Sequence, residues 1–161
     1  MSGINFHKRK VFMMIKVLSF LFLTSAFLVS AAEVNLALKK NATASSCERS
    51  TTSPELAVDN NPKTRWASKF VDPQWFMIDL GKPEKIGRIV IHWENAYAKE
   101  YKIQLSMDGK HWKEVFFTKD GKGKKETVKI PSQTARYVRF AGGKRASWAG
   151  YSFWEFQIFE Q

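Results

Sequence analysis

The chain has 161 residues, a formal net charge of +11 at pH 7 and a single cysteine, Cys47. This length allows one domain. One cysteine excludes an internal disulfide, so the fold depends on packing, to which a buried metal ion would add stability. A strongly basic chain is compatible with nucleic-acid binding, but the chain carries no nucleic-acid motif and its N-terminus predicts export.

The first 32 residues are predicted to be a secretory signal peptide, and residues 33–161 the folded domain. Four basic residues precede the apolar run 17–29, which ends in the small residues 30–32. The run is short for a transmembrane span, although an uncleaved anchor is the alternative. We therefore expect a secreted (extracellular or periplasmic) protein without stable membrane insertion after cleavage. The remainder has 22 basic and 15 acidic residues, a net charge of +7.

The first distinctive element of the domain is a polar turn at residues 56–66. It places three oxygen-bearing side chains, Asp59, Asn61 and Thr64, around an Asn-Pro bend. Such oxygens can converge on a hard cation, because a turn also points backbone carbonyls inward. An Asx-turn with solvated side chains is the alternative. Glu155 favours the cation, since a lone carboxylate in the apolar C-terminal run needs a partner.

Seven short runs rich in β-branched and aromatic residues predict strands at 75–80, 86–93, 101–106, 112–117, 127–130, 136–141 and 153–159. Turn signals separate them at 81–83, 108–109, 120–121 and 142–143. Regular short strands predict an all-β fold, an antiparallel β-sandwich. Most aromatic side chains are then expected to pack in the core, among them Trp66, Trp75, Trp154, Phe156 and Phe159.

The sequence offers little for catalysis, and we expect a protein that is not an enzyme. His92 alternates with strand residues, His111 falls in a turn, and no nucleophile elbow, phosphate loop or zinc spacing is present. The remaining option is a carboxylate pair, Glu48 and Glu94. The chain is small and has no insertion that would build a cleft. The lysine-rich stretch 119–125 is predicted to be a solvated hairpin loop.

Several separated motifs occur in one order along the chain: Asn35-Leu36-Ala37, Ala57-Val58-Asp59 with Thr64-Arg65-Trp66, Asp72-Pro73-Gln74-Trp75, Ala135-Arg136-Tyr137-Val138-Arg139, and Gly150-Tyr151-Ser152 through Phe156. On these motifs the chain resembles the discoidin domain, also called the coagulation factor V/VIII type C domain. Within that superfamily it is most similar to carbohydrate-binding module family 32, in the branch appended to bacterial chitosanases and glucanases. The resemblance covers about residues 35–159. It implies a discoidin-type jelly roll, and we expect a monomer.

The resemblance also implies a ligand site. In the chitosan-binding members, glucosamine is held by two glutamates, an arginine and aromatic side chains, and the matching positions here are Glu48, Arg65, Phe70, Glu94 and Tyr151. We expect the sugar to stack on the ring of Tyr151. Two positions depart from the pattern: Phe70 can stack but cannot donate a hydrogen bond, and Ala149 stands where relatives often carry an aromatic, beside Trp148.

The cation that the resemblance implies is calcium. Its ligands would be the side chains of Asp59, Asn61 and Thr64, the carbonyl of Leu56, and Glu155. A set of oxygen ligands on a flexible turn suits calcium better than zinc. The ion would tie this turn to the last strand, outside the sugar site.

These observations lead to a secreted, non-catalytic carbohydrate-binding module for glucosamine-rich polysaccharide such as chitosan oligomers, or for β-1,3-glucan. The neutral glucan stays open because a basic domain repels a polycation over about one Debye length, about 8 Å at physiological salt. The alternative is a cell-surface adhesion domain that binds protein or an anionic lipid surface. Phe70 and Trp148 at exposed loop tips would favour a membrane, whereas a concavity shared with Glu48 and Glu94 would favour sugar.

Overall fold

The computed structural model describes residues 33–161, and the predicted signal peptide lies outside them. The described part forms strands β1 Asn41–Ala44, β2 Trp66–Ala67, β3 Gln74–Trp93, β4 Ala98–Ser106, β5 Lys113–Thr118, β6 Lys125–Arg145 and β7 Ser152–Phe159. Two short 3₁₀ helices, Ser50–Thr52 and Pro54–Ala57, precede β2. None of the helices in residues 33–161 is long and apolar enough to cross a membrane.

Two long, bent strands, β3 and β6, contribute to both layers of the sandwich. The first half of β3 pairs with β1 and with the second half of β6, where Ile78 faces Val138. Its second half pairs with the first half of β6 and with β7, where Ile89 faces Val128 on one side and Ile158 on the other. All pairings are antiparallel, in the order β2-β7-β3-β6-β4-β5 with β1 beside β3. The predicted antiparallel β-sandwich is confirmed.

The sequence predicts that the turn signals at 81–83 and 142–143 end strands, but in the structure both lie within strands. In β3 the register shifts between Asp79 and Glu84, where Gly81 adopts a φ of +84°. Such an irregularity bends a strand without reversing it. Gly142 lies inside β6 and pairs with Gln74. The strands predicted at 75–80 and 86–93 are therefore halves of β3. Those predicted at 127–130 and 136–141 both lie within β6, which continues past Gly142 to Arg145.

Two strands were not predicted, because they are too short to show a two-residue alternation of apolar and polar side chains. β1 has four residues and β2 has two, Trp66 and Ala67. The other predicted strands are confirmed within a few residues as β4, β5 and β7.

The core between the layers is a cluster of aromatic rings around Phe153. The rings of Trp66, Phe76, Trp93 and Phe140 lie 4.8, 4.9, 5.5 and 5.7 Å from it, centroid to centroid. Burial of one such side chain stabilises a fold by roughly 1.5–3 kcal/mol, and an aromatic pair adds about 0.5–1.5 kcal/mol. The core therefore needs no disulfide.

The prediction that five named aromatics pack in the core is confirmed for Trp66 and Phe156, which are fully buried. The other three are half-buried: Trp75, Trp154 and Phe159. The single cysteine is also half-buried, and burial raises the pKa of its thiol.

Backbone hydrogen bonds gather distant loops at the end of the sandwich where β2 meets β7. The amide of Glu48 donates to the carbonyl of Ala67 over 2.7 Å, and the amide of Glu94 donates to the carbonyl of Ser152 over 3.0 Å. The loops that follow β1, β2, β3 and β6 are thus brought close together at this end.

Candidate functional site

This end of the sandwich carries a concavity of about 150 Å³. All five positions predicted to contact sugar border it: Glu48, Arg65, Phe70, Glu94 and Tyr151. They come from separate segments of the chain, and the structure brings them together. Their role in binding stays a prediction.

Arg65 is held in place inside the concavity by two neighbours. Its Nη1 donates to Oγ of Ser152 over 2.9 Å, and its Nη2 lies 3.9 Å from Oε2 of Glu48. Oε1 of Glu48 accepts a hydrogen bond from Nη2 of Arg49 at 2.5 Å. Glu48 therefore faces two guanidinium groups, so its charge is balanced within the protein.

Glu94 has fewer polar partners within the protein than Glu48 has. Its Oε2 accepts a hydrogen bond from the amide of Ala96 over 3.0 Å. Among the ion pairs of residues 33–161, those in the concavity involve Glu48 and not Glu94. Glu94 therefore presents an unbalanced negative charge to a ligand in the concavity.

Two exposed aromatic side chains stand at the rim. Phe70 is 46% exposed and borders the concavity, and Trp148 is 79% exposed. The two rings meet edge to face, with centroids 5.5 Å apart and planes at 86°. Phe70 thus shares a concavity with Glu48 and Glu94, the arrangement expected of a sugar site.

Arg145, which the sequence did not single out, ties the two aromatic loops together. Its Nη1 donates to the carbonyls of Phe70 and Trp148 over 2.7 and 2.8 Å, and its Nε lies 3.3 Å from Oδ1 of Asp72. A guanidinium group can serve several acceptors at once because it has five donors. From the sequence alone, a Lys-Arg pair before a polar loop looks the same whether its side chains are solvated or hold the loop in place.

Tyr151 lies beneath the site, and the expectation that a sugar stacks on its ring is wrong. The side chain is fully buried, and its ring packs against Phe140 at 5.7 Å between centroids. Its hydroxyl donates to Asp72, and burial followed by this hydrogen bond raises the pKa of the phenol. A Cβ added at Gly142 would lie 2.6 Å from the same ring. Tyr151 supports the floor of the concavity.

The turn at residues 56–66 is folded by its own side chains. Oδ1 of Asp59 accepts from the amide of Asn61 over 2.8 Å, and Oδ2 accepts from the hydroxyl of Thr64 over 2.7 Å. Oδ1 of Asn61 accepts from the amide of Lys63 over 3.1 Å. The Asx-turn interpretation therefore describes this turn, which keeps the predicted ligand oxygens close together.

Glu155 is the feature of this region that an Asx-turn does not explain. It is 6% exposed, and neither carboxylate oxygen has a hydrogen-bond partner among the described residues. Burial, with a further contribution from the nearby Asp59, raises the pKa of Glu155 to about 7. The amide of Asn60 faces the carboxylate and opposes part of this rise, without the geometry of a hydrogen bond. An ionised carboxylate at this place needs a cation.

The predicted ligand set fits a hard cation that prefers oxygen. In the described residues no group of three or more histidine, cysteine, aspartate or glutamate side chains is placed to hold a metal ion. Asp59 lies close enough to Glu155 to contribute to the raised pKa of the Glu155 carboxyl. The other predicted ligands are the Asn61 amide, the Thr64 hydroxyl and the Leu56 carbonyl, so the predicted set contains oxygen donors alone, as calcium prefers.

The two histidines have the environments predicted for them. His92 is half-buried in β3, where burial and then Lys125 lower its pKa. His111 is exposed in the β4–β5 turn, and its hydrogen bond with Asp108 raises its pKa. This pair stands beside a concavity of about 290 Å³ that contains none of the predicted site residues.

Comparison with known proteins identifies the class. The chain belongs to the F5/8 type C domain family, which matches residues 41–156. Chitosan-binding module 1 of a chitosanase/glucanase from Paenibacillus sp. IK-5 is 42% identical, with a TM-score of 0.76 over 78% of this chain and 98% of the module. Module 2 of that enzyme, solved in complex with chitotriose, is 39% identical, with a TM-score of 0.76 over 78% and 99% of the two chains.

A much longer protein, a polysaccharide lyase, matches part of this chain. The polysaccharide lyase 8 family protein HylA of Enterococcus faecalis is 35% identical over 89 residues, 53% of this chain. The chain spans about 6% of the length of that protein. The resemblance to discoidin domains and to family 32 modules is confirmed. The chitosan-binding and family 32 modules of similar structure support a carbohydrate-binding role.

Proposed function

We propose that the protein is a secreted, non-catalytic carbohydrate-binding module that recognises glucosamine-rich polysaccharide such as chitosan oligomers. The observation that carries the proposal is the concavity that joins Glu48, Arg65, Phe70 and Glu94 in one place. The identity of 39–42% with two chitosan-binding modules supports it.

The charges in the concavity assign different tasks to its residues. Glu94 is the acceptor for a sugar ammonium group, because no guanidinium balances it. A charge-assisted hydrogen bond of this kind is stronger than a neutral one. Arg65, oriented by Glu48 and Ser152, donates to ring hydroxyls. Phe70 and Trp148 offer apolar faces and edges for the C–H groups of the sugar.

The same geometry argues for binding without turnover. A glycosidase needs one carboxyl in an apolar setting as general acid. Glu48 contacts two guanidinium groups, and Glu94 is half-exposed. The purified protein should therefore release no reducing ends from chitosan, laminarin or galactan. Turnover that Glu94→Gln abolishes while binding persists would establish a glycosidase instead.

We further propose that calcium occupies the turn at residues 56–64 as a structural ion. Asp59, Asn61, Thr64, the Leu56 carbonyl and Glu155 would hold it, and its charge would balance the buried carboxylate. The support for this site is the absence of any hydrogen-bond partner for Glu155 among the described residues. The ion would act on stability and not directly on the sugar.

Titration calorimetry with chitosan and laminarin oligomers separates the two candidate polysaccharides. Ammonium recognition predicts that chitosan binding fades as the pH rises past ionisation of the sugar amine, whereas glucan binding stays flat. Laminarin affinity that equals or exceeds chitosan affinity, and that ignores substitution of either glutamate, would refute the glucosamine assignment. It would leave a sugar-binding role in place.

An adhesion role at an anionic lipid surface is the second candidate, favoured by the 79% exposure of Trp148 and the net charge of +7. It predicts cosedimentation with phosphatidylglycerol vesicles that Trp148→Ala weakens. Failure of the protein to sediment with these vesicles would remove this candidate.

A further inference from the structure

The loop between β5 and β6 presents lysines outward from a backbone that is packed against the domain. Gly121 and Gly123 are buried, and a Cβ added to them would lie 2.0 Å from the carbonyl oxygen of Ala98 and 2.8 Å from the ring of Tyr97, respectively. The loop lysines alternate with or flank these glycines and are all exposed: Lys119, Lys122, Lys124 and Lys125.

Hydrogen bonds anchor this loop at several points. The carboxylate of Glu126 accepts from the amide of Lys122 over 2.5 Å, from Nε1 of Trp93 over 2.7 Å and from the hydroxyl of Tyr101 over 3.0 Å. The carbonyl of Lys124 accepts from the amide of Trp93 over 2.7 Å. This anchoring holds the positive charges of the loop in one region.

Little of this charge is balanced within the protein. Asp120 pairs with Lys99 at 2.7 Å and with Lys122, and it is the one acidic residue of the loop. In residues 33–161 three loop lysines have no carboxylate within ion-pair distance: Lys119, Lys124 and Lys125.

An exposed aromatic ring adjoins these charges. Phe117, on the edge strand β5, is 41% exposed. The ammonium groups of Lys102 and Lys119 lie 5.4 and 5.9 Å from its ring centroid. Lys102 also pairs with Glu114 over 2.8 Å, whereas Lys119 has no carboxylate partner in residues 33–161. An apolar ring beside an unpaired ammonium matches a sugar that bears an acid group, because the sugar's C–H face can stack while its carboxylate or sulfate meets the ammonium.

We infer that the loop 119–125 and Phe117 form a second binding surface, whose ligand is an acidic polysaccharide. This surface shares no residue with the concavity around Glu94, so its function does not depend on the sugar proposed there. Phe117 lies within a strand and not at a loop tip, which favours a polymer lying along the surface over insertion into a membrane. Because the lysines are exposed, binding weakens as salt screens them.

The test compares two triple variants with equal loss of charge. One replaces Lys119, Lys124 and Lys125 with Gln, and its matched control replaces three exposed lysines elsewhere: Lys63, Lys85 and Lys110. Binding of the purified protein to hyaluronate and chondroitin sulfate is measured at low and high salt, with dextran as neutral polymer. The loop variant should bind about ten-fold more weakly at low salt, since three exposed ion pairs together contribute about that factor. The control should bind like the wild type.

Two further arms identify what the surface recognises. Phe117→Ala should weaken binding to hyaluronate but not to polyglutamate, which has charge without sugar rings. The loop triple variant should not weaken binding to chitosan oligomers, so this surface and the concavity can fail separately. Any of three results would overturn the inference. The two triple variants could lose binding equally, or the protein could bind neither acidic polysaccharide. It could also bind phosphatidylglycerol vesicles or single-stranded DNA in place of polysaccharide. Unchanged melting temperatures exclude misfolding as the cause of a loss.

Discussion

Glu94 lies just after β3 and Glu155 lies in β7, which pairs with β3, but their surroundings differ. Glu94 is half-exposed and accepts a hydrogen bond from Ala96. Glu155 is 6% exposed, has no hydrogen-bond partner in the described residues and has a pKa of about 7. Water solvates the first at little cost, whereas the second destabilises the fold whenever it is ionised without a cation.

The same contrast separates two aromatic residues of the candidate site. Phe70 is 46% exposed at its rim, and Tyr151 is fully buried under its floor. The structure thus divides the positions predicted to contact sugar into those that a ligand can reach and those that support them. Stability should respond to Tyr151 and Glu155, and binding to Glu94 and Phe70.

The largest effect is expected for Tyr151→Ala, which should lower the free energy of unfolding by about 3–5 kcal/mol because it leaves a cavity beneath the site. Tyr151→Phe should cost about 1 kcal/mol, since it removes one hydrogen bond to Asp72. Phe70→Ala, the exposed control, should change stability by less than about 0.5 kcal/mol. Urea unfolding measures all three. A Tyr151→Ala variant of normal stability that has lost chitosan binding would return this ring to the ligand surface.

Calcium should stabilise the protein by about 2.7 kcal/mol when its concentration is one hundred times the Kd. Calorimetric melting with calcium and with chelator measures the difference. In chelator, stability should fall as the pH rises from about 4.5 to about 7, because the folded state holds the Glu155 proton more tightly than the unfolded chain does. The effect of calcium should grow over the same range, since the ion binds the ionised carboxylate.

Glu155→Gln sharpens this prediction. The variant should not respond to calcium, and in chelator at pH 8 it should be more stable than the wild type, because it buries no charge. Asp120→Asn, an exposed acid in the lysine loop, is the control and should keep the calcium response. A melting temperature that ignores chelator, with no calcium found by elemental analysis, would contradict the metal site.

The smallest of these effects concerns binding. Glu94→Gln should weaken chitosan-oligomer binding by roughly ten-fold or more, since a charge-assisted hydrogen bond is worth about 1.5–3 kcal/mol. Glu48→Gln should weaken it less, because Glu48 acts partly by orienting Arg65. Glu84→Gln, at the bend of β3, should bind normally. Calorimetry that finds Glu48 more important than Glu94 would reverse the roles assigned to the two carboxylates.

Much of the fold was predictable, and the candidate site only in part. The alternation of residues such as Phe76 and Ile78 with half-buried neighbours predicts strands directly, since successive side chains point to opposite faces. The register shifts near Gly81 in β3 and at 142–144 in β6 resembled turns, because a bulge and a turn use the same residue types. The roles of Arg145 and Ser152 were not visible, since both depend on contacts with distant segments.

The sequence by itself determined an all-β sandwich, the composition of an aromatic core without disulfides, and a basic surface, because these depend on composition and on a local period of two. Only the tertiary structure decided which side chains remain accessible. The contact between Arg65 and Ser152 spans 87 residues of sequence, and that between Tyr151 and Asp72 spans 79. Strand pairing across such separations sets the burial of Tyr151 and Glu155 and the exposure of Phe70 and Glu94, and no local pattern encodes it.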